Sequence, residues 1–166
     1  MSLSATLNIL FNCINTKALD LNTARDILAL TGGVTFTDGT GANQADTLFH
    51  DTRTLADGAN ETLDLYASGT LTDAFGDALT IETLKALYIK NNSTDANLLI
   101  GAAAVNAIGL FSDSSDILKL PPGGELVFIA PDATGVDITT NKNLKIAHDG
   151  TGSSDLTYDI IVIGVD

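Results

Sequence analysis

Leu120-Pro-Pro-Gly-Gly-Glu-Leu-Val-Phe-Ile-Ala-Pro-Asp-Ala-Thr-Gly135 is an apolar run with a breaker at each end. Pro121-Pro122-Gly123-Gly124 cannot continue a regular element, because proline lacks the backbone donor and glycine leaves the chain free to turn. Leu126 to Ala130 is uninterrupted and rich in Val, Ile and Phe, and Pro131-Asp132 stops it. A strand apolar on both faces is expected to be central and covered on both sides. The rest of the chain is read as packing around it.

Working outward, the same punctuation recurs. Tyr158 to Ile163 is a second doubly apolar strand and the expected companion of the first. Val136 to Thr139, Leu144 to Ala147, Leu98 to Ile100 and Thr62 to Tyr66 are shorter strand candidates. Asp38-Gly39-Thr40-Gly41, Asp57-Gly58-Ala59-Asn60 and Asn91-Asn92-Ser93-Thr94 are turns. Thr80 to Lys90 is read as a short helical turn followed by a strand from Leu84. Phe75 is expected beneath a loop running from Gly69 to Gly76. Short strands separated by turns every 8–12 residues or so predict an antiparallel β-sandwich or a jelly-roll-like barrel, all-β in class.

The N-terminus has the clearest period. Leu3, Ala5, Leu7, Ile9, Phe11 and Cys13 are apolar, and Ser4, Thr6, Asn8 and Asn12 alternate with them; Leu10 is the exception. Period two predicts a strand with one buried face, with Cys13 on that face as a small buried hydrophobe. A long terminal strand can be an arm that adds to a neighbouring sheet, or an ordinary strand of its own sandwich. The chain is divided accordingly into an N-terminal strand or arm, residues 1–14, and one β-sandwich domain, residues 15–166. Asn15 to Asp26 reads as strand and turn, with a short helix capped by Thr23 as the other reading.

Composition narrows the classes of partner. The chain has 166 residues, 45% hydrophobic but only 5% aromatic and without Trp, so Ala, Leu, Ile and Val must build most of the core. Eight Lys plus Arg against 21 Asp plus Glu give a net charge of −13. Such a chain lacks the cationic phosphate contacts that nucleic-acid binding needs. The longest weakly polar run, Leu98 to Phe111, is too short to span a bilayer. Cys13 is the only cysteine, which excludes an internal disulfide and a Cys-based zinc site. No basic leader precedes the first strand, so synthesis in a cytoplasm is expected.

Candidate chemistry is sparse. His50-Asp51 and His148-Asp149 hold the only histidines, but neighbours on a strand point to opposite faces, and no Gly-x-Ser-x-Gly elbow supplies a nucleophile. Asp38 with Asp46, and Asp113 with Asp116, invite a calcium reading, yet neither fits the EF-hand spacing and solvated turns account for them. Asn60-Glu61-Thr62 and Asn91-Asn92-Ser93 match the glycosylation sequon, which has meaning only after secretion. The sequence nominates no catalytic, cofactor-binding or metal-ligating residue.

Several stretches, in order, carry a resemblance. They are Phe36-Thr-Asp-Gly-Thr-Gly-Ala-Asn-Gln-Ala-Asp46, His50-Asp-Thr-Arg-Thr-Leu-Ala56, Leu71-Thr-Asp-Ala-Phe-Gly76, Lys85-Ala-Leu-Tyr-Ile-Lys-Asn91, the Leu120–Gly135 stretch and Tyr158-Asp-Ile-Ile-Val-Ile-Gly164. Together they resemble small proteins from the structural-gene regions of tailed bacteriophages and prophages, of the capsid decoration (cement) type. The resemblance implies a β-rich virion structural protein on the capsid surface, bound to the major capsid protein and commonly a homotrimer, with no enzymatic role. It transfers no functional residue. The competing readings are a tail- or fibre-associated host-binding module, disfavoured by the scarcity of aromatics, and a small hydrolase, disfavoured by the missing nucleophile.

Overall fold

The structure, a computed structural model, describes residues 2–67, 71–152 and 154–166. It is all-β: no helix occurs among the described residues, and so none is long and apolar enough to cross a membrane. The strands are β1 (Ser4–Ala18), β2 (Thr23–Thr37), β3 (Thr47–Leu55), β4 (Asn60–Asp64), β5 (Thr83–Asn91), β6 (Leu98–Gly101), β7 (Ile117–Leu120), β8 (Glu125–Ile129), β9 (Val136–Asp137), β10 (Asn143–His148) and β11 (Leu156–Val165). Every ladder between them is antiparallel.

Two sheets make a sandwich. One is five-stranded, in the order β3-β11-β5-β8 with β9 also on β5, and the other runs β4-β10-β6-β7. Neither closes on itself, so the architecture is an open sandwich and not a barrel. Period-two alternation decides which side chains enter the space between. From the first sheet come Leu87, Ile89, Tyr158, Ile160 and Val162; from the second come Leu63, Leu98, Ile100, Leu144 and Ile146, all buried in one cluster. Aliphatic side chains fill this core, as the composition required.

The terminal strand β11 is central, flanked by β3 and β5. The run Leu126 to Ala130 is not. Its strand β8 pairs only with β5 and forms an edge of the sheet, and β5 separates it from β11. The run is apolar because Leu126 and Phe128 face the core while Ile129 packs under another element on the outer face. Apolar faces and a central place in the hydrogen-bond order are separate properties, and the flanking prolines suit an edge.

Two other expectations are corrected. Thr80 to Glu82 forms no helical turn, because the Ile81 amide donates to Leu65 O and the Glu82 amide to Val165 O. Phe75 is 77% exposed. Its amide and that of Asp77 both donate to Asp73 Oδ1, and this tight turn throws the ring outward.

Polar ties close the ends of the sandwich. Buried Asn91, the last residue of β5, donates from Nδ2 to the carbonyls of Ala96, Leu120 and Pro121 at 2.9, 3.1 and 3.1 Å, and its Oδ1 accepts the Ser93 amide. Its backbone also exchanges hydrogen bonds with Gly123 and Gly124. The Pro-Pro-Gly-Gly turn is thus held by one asparagine. In the same cross-strand row, where Tyr158 lies opposite both Asn91 and Arg53, Arg53 grips Glu61 Oε2 through Nε and Nη2 at 2.8 and 2.6 Å, and Tyr158 Oη donates to Glu61 Oε1 at 2.9 Å, linking the two sheets. Burial, followed by the Glu61 charge, pushes the Tyr158 phenol far above its usual range.

Replacing Asn91 by Leu removes the amide donor that the Ala96, Leu120 and Pro121 carbonyls share, leaving only Pro121 O with another donor in the turn, the Gly124 amide. We expect a loss of about 2–4 kcal/mol of stability, read as a lower midpoint in urea unfolding with an unchanged slope.

Candidate assembly surface

The first two strands stand apart from the sandwich. β1 and β2 pair along their whole lengths, from Ser4↔Thr37 to Ala18↔Thr23, as a separate two-stranded sheet. The strand expected over residues 1–14 therefore continues to Ala18 and has its own partner. Leu19 to Asn22 turn the chain between them, with the Leu19 amide donating to Asn22 O.

Because directly opposed residues share a face, the register defines two faces. One carries Ala5, Leu7, Ile9, Phe11 and Cys13 with Phe36, Val34, Leu30 and Leu28. Its root is seated. Phe36 is fully buried with Ala45, Ala86 and Ile163, and Leu3, Ala5, Leu7, Val34, Leu48 and Ile129 pack around them. The hairpin thus covers the outer face of the five-stranded sheet at the level of Leu48, Ile163, Ala86 and Ile129. Asp38 Oδ1 accepts the Leu3 amide and pins the start of the chain to the end of β2.

Beyond the root the hairpin leaves the body. Every residue from Leu10 to Gly33 is exposed. At about 3.4 Å per residue, the part from Asn8 to Ala18 reaches roughly 35 Å. The departure coincides with Gly32-Gly33. Gly33 has φ +142°, and a Cβ there would lie 2.1 Å from Leu7 O, so only glycine fits. The exposed arm is apolar: Phe11 is 54% exposed, Leu28 55% and Leu30 56% on the continuation of the seated face, and Leu10 is 62% exposed on the opposite face with the pair Ile14 and Ile27. Cys13 lies here, exposed, so the expectation of a buried thiol is corrected. The periodicity was that of a buried face, but the chain's own body ends before Phe11.

Charge separates arm from body. From Leu3 to Thr37 the only ionisable side chains besides Cys13 are Lys17, Arg25, Asp20 and Asp26, which cancel. The chain's net charge of −13 therefore resides on the sandwich. Beside the root lies a cleft of about 550 Å³, lined on one side by Ala5 to Ile9 and on the other by the next row of the sheet, including His50, Ile161, Tyr88 and Val127. Five consecutive residues of β1 and none of β2 line it, so the cleft runs along the free edge of β1. Past this row the outer face turns polar, with Thr52, Asp159, Lys90 and Glu125.

The residues weighed for chemistry do not converge. His50, on β3, faces the cleft, and Asp51 is paired with Arg53 at 2.8 Å. His148, on β10 in the other sheet, is buried; its Nδ1 accepts the Gly150 amide at 2.9 Å and its Nε2 lies 3.1 Å from Ser154 O. Asp149 accepts from Asn97 and Thr151 and pairs with Lys119. Burial works to raise its pKa, but the Thr151 and Asn97 hydrogen bonds outweigh it and hold the carboxyl far below the usual range. Asp38 is taken up by Leu3, Asp46 by Thr47 and Asp166, Asp113 by Ser115, and Asp116 by the Asp113 amide. Among the described residues no group of three or more His, Cys, Asp or Glu is placed to hold a metal ion. No family model, curated protein or solved structure matches the chain.

Seat and arm separate in mutagenesis. Phe36→Ala opens a cavity beneath the root and should cost about 3–5 kcal/mol, whereas Phe11→Ala, on the arm, should leave the stability of the single chain within about 0.5 kcal/mol; denaturant titration of both variants at high dilution checks this. Acid should also unfold the chain. Asp64, Asp132, Asp137, Asp149 and Asp159 have lowered pKa values in the fold. Their stabilisation is complete above the unfolded carboxyl pKa of about 3.9 and is lost as pH falls through the lower folded values. The melting temperature should hold from neutral pH to about 5 and drop steeply below about 4, with Asp149→Asn flattening the drop.

Proposed function

We propose that the chain is a structural protein of a bacteriophage virion, a capsid decoration (cement) protein that binds the major capsid protein and associates with itself. The observation that carries this is the free apolar hairpin. An exposed apolar surface of this kind, with Phe11, Leu28 and Leu30 each more than half exposed on one face, belongs to the class that marks interaction sites. Its long strands have open edges, which are templates for adding strands from another chain. An acidic sandwich keeps such a protein soluble and spaces neighbouring bodies, while the neutral arm meets no charge penalty on contact. The resemblance spread over nearly the whole sequence points to the same class.

The role follows physically. A cement protein holds a shell by burying its own surface against neighbours, so it needs a rigid body and a projecting contact element and no reactive group. Here the sandwich is the body and the hairpin the contact. Quantifying the chain against the major capsid protein in purified virions tests the reading. Hundreds of copies per particle are expected; a handful would place it in a tail or fibre, and none would remove it from the virion. Phe11→Asp combined with Leu28→Asp should weaken binding to heads while leaving the circular dichroism of the body unchanged.

A further inference from the structure

The arm's occupant can be read from β1 itself. Leu7-Asn8-Ile9-Leu10-Phe11-Asn12-Cys13 has the same polarity in both directions about Leu10: Ile9 mirrors Phe11, Asn8 mirrors Asn12, and Leu7 mirrors Cys13. Leu10, the residue that breaks the alternation, sits at the centre. Such a strand is suited to pair antiparallel with another copy of itself, because the two-fold would set apolar against apolar, Asn against Asn, and Leu10 against Leu10.

The free edge makes this pairing available. β1 pairs only with β2, so its other edge has unpaired N–H and C=O groups, and the cleft runs beside that edge. We infer that two copies associate through β1, edge to edge and antiparallel about Leu10, so that the outer half of each arm fills the cleft at the root of the other. This deepens the assembly reading above by naming the arm's partner as a second copy of the chain.

The geometry is consistent on each count. A two-fold perpendicular to the hairpin sheet keeps both apolar faces on the same side. Phe11 of one copy is thereby carried toward Ile161 and Val127 of the other, 37% and 43% exposed in the single chain, with Leu30 and Leu28 one strand further out. The face already seated on its own sheet at Ala5 and Leu7 is simply continued by a second hairpin on the next row. Phe11, Leu28, Leu30 and Ile9, with the cleft walls and the newly paired edge, approach the roughly 800 Å² per partner of a standard interface. Charge on the arm does not oppose the match, since Lys17, Asp20, Arg25 and Asp26 lie at its far end and cancel; the two acidic bodies repel each other, so added salt should strengthen the dimer.

Sedimentation of the purified full chain, without any capsid, tests this. A species of twice the 17.2 kDa chain mass is expected. Leu10→Lys and Leu10→Glu, at an exposed position, should each weaken dimerisation on the order of tenfold or more by placing like charges opposite each other. An equimolar mixture of the two should restore a dimer, as only a residue that faces itself can do. Phe11→Asp should abolish the dimer while circular dichroism stays unchanged. A monomer at ~100 µM, a trimer, persistence of either Leu10 variant as a dimer, or failure of the mixture to pair would overturn the inference. Head binding is measured separately, so a dimer that ignores capsids refutes the virion reading alone, and a monomer that decorates them refutes this pairing alone.

Discussion

The outer face of the five-stranded sheet sets the constraint on which the rest depends. A sheet in a two-layer sandwich has one face in the core and one outside, and here the outside face is apolar along two rows. Leu48, Ile163, Ala86 and Ile129 form the first, and it is covered by Phe36 and the hairpin root. His50, Ile161, Tyr88 and Val127 form the second, and it lies open beside the edge of β1. Covering the first row fixes the hairpin's direction. That direction, with Gly33 at the exit, carries the remaining apolar residues of the arm away from the body.

The body is organised to keep that seat still. Its ends are tied by groups whose hydrogen-bonding capacity is largely used within the chain: Asn91 at the Pro-Pro-Gly-Gly turn, Arg53, Glu61 and Tyr158 across the sheets, and Lys85, fully buried in β5, whose amine donates to Asp132 O and Ala133 O at 2.6 and 3.0 Å. Asp132 in turn accepts from Thr134 and Gly135, closing the loop after β8. The chain's abundance of Asp and Thr is spent in such turns. That use of carboxylates is structural, and it accounts for acidic clusters that resemble ion sites in the sequence alone.

Much of the fold was legible because turns and alternation are local. Gly, Pro, Asn and Asp mark most of the strand ends, and Tyr158 to Ile163 was readable as a central strand. What failed was whatever required a neighbour. Leu126 to Ala130 has the polarity of a central strand and sits at an edge, since polarity reports what lies above and below a strand and not what lies beside it. Ile81 has helical spacing with Leu84, yet its amide is claimed by Leu65. Phe75 is apolar and points outward because Asp73 shapes the turn that holds it. In the assembly surface, Leu3 to Cys13 announced itself as a strand, but no local signal names a strand's partner, and Asn15 to Asp26 was open to either a strand and turn or a short helix.

By itself the sequence determined the all-β class, the aliphatic core, the acidic exterior and the amphipathic period of the first strand, since these depend on residue type and on a spacing of two. Only the tertiary structure decided that this apolar face is half seated and half free. A period of two says that a face wants burial. It cannot say where the body beneath it stops, because that depends on the width of a sheet assembled from residues as distant as Leu48 and Ile163.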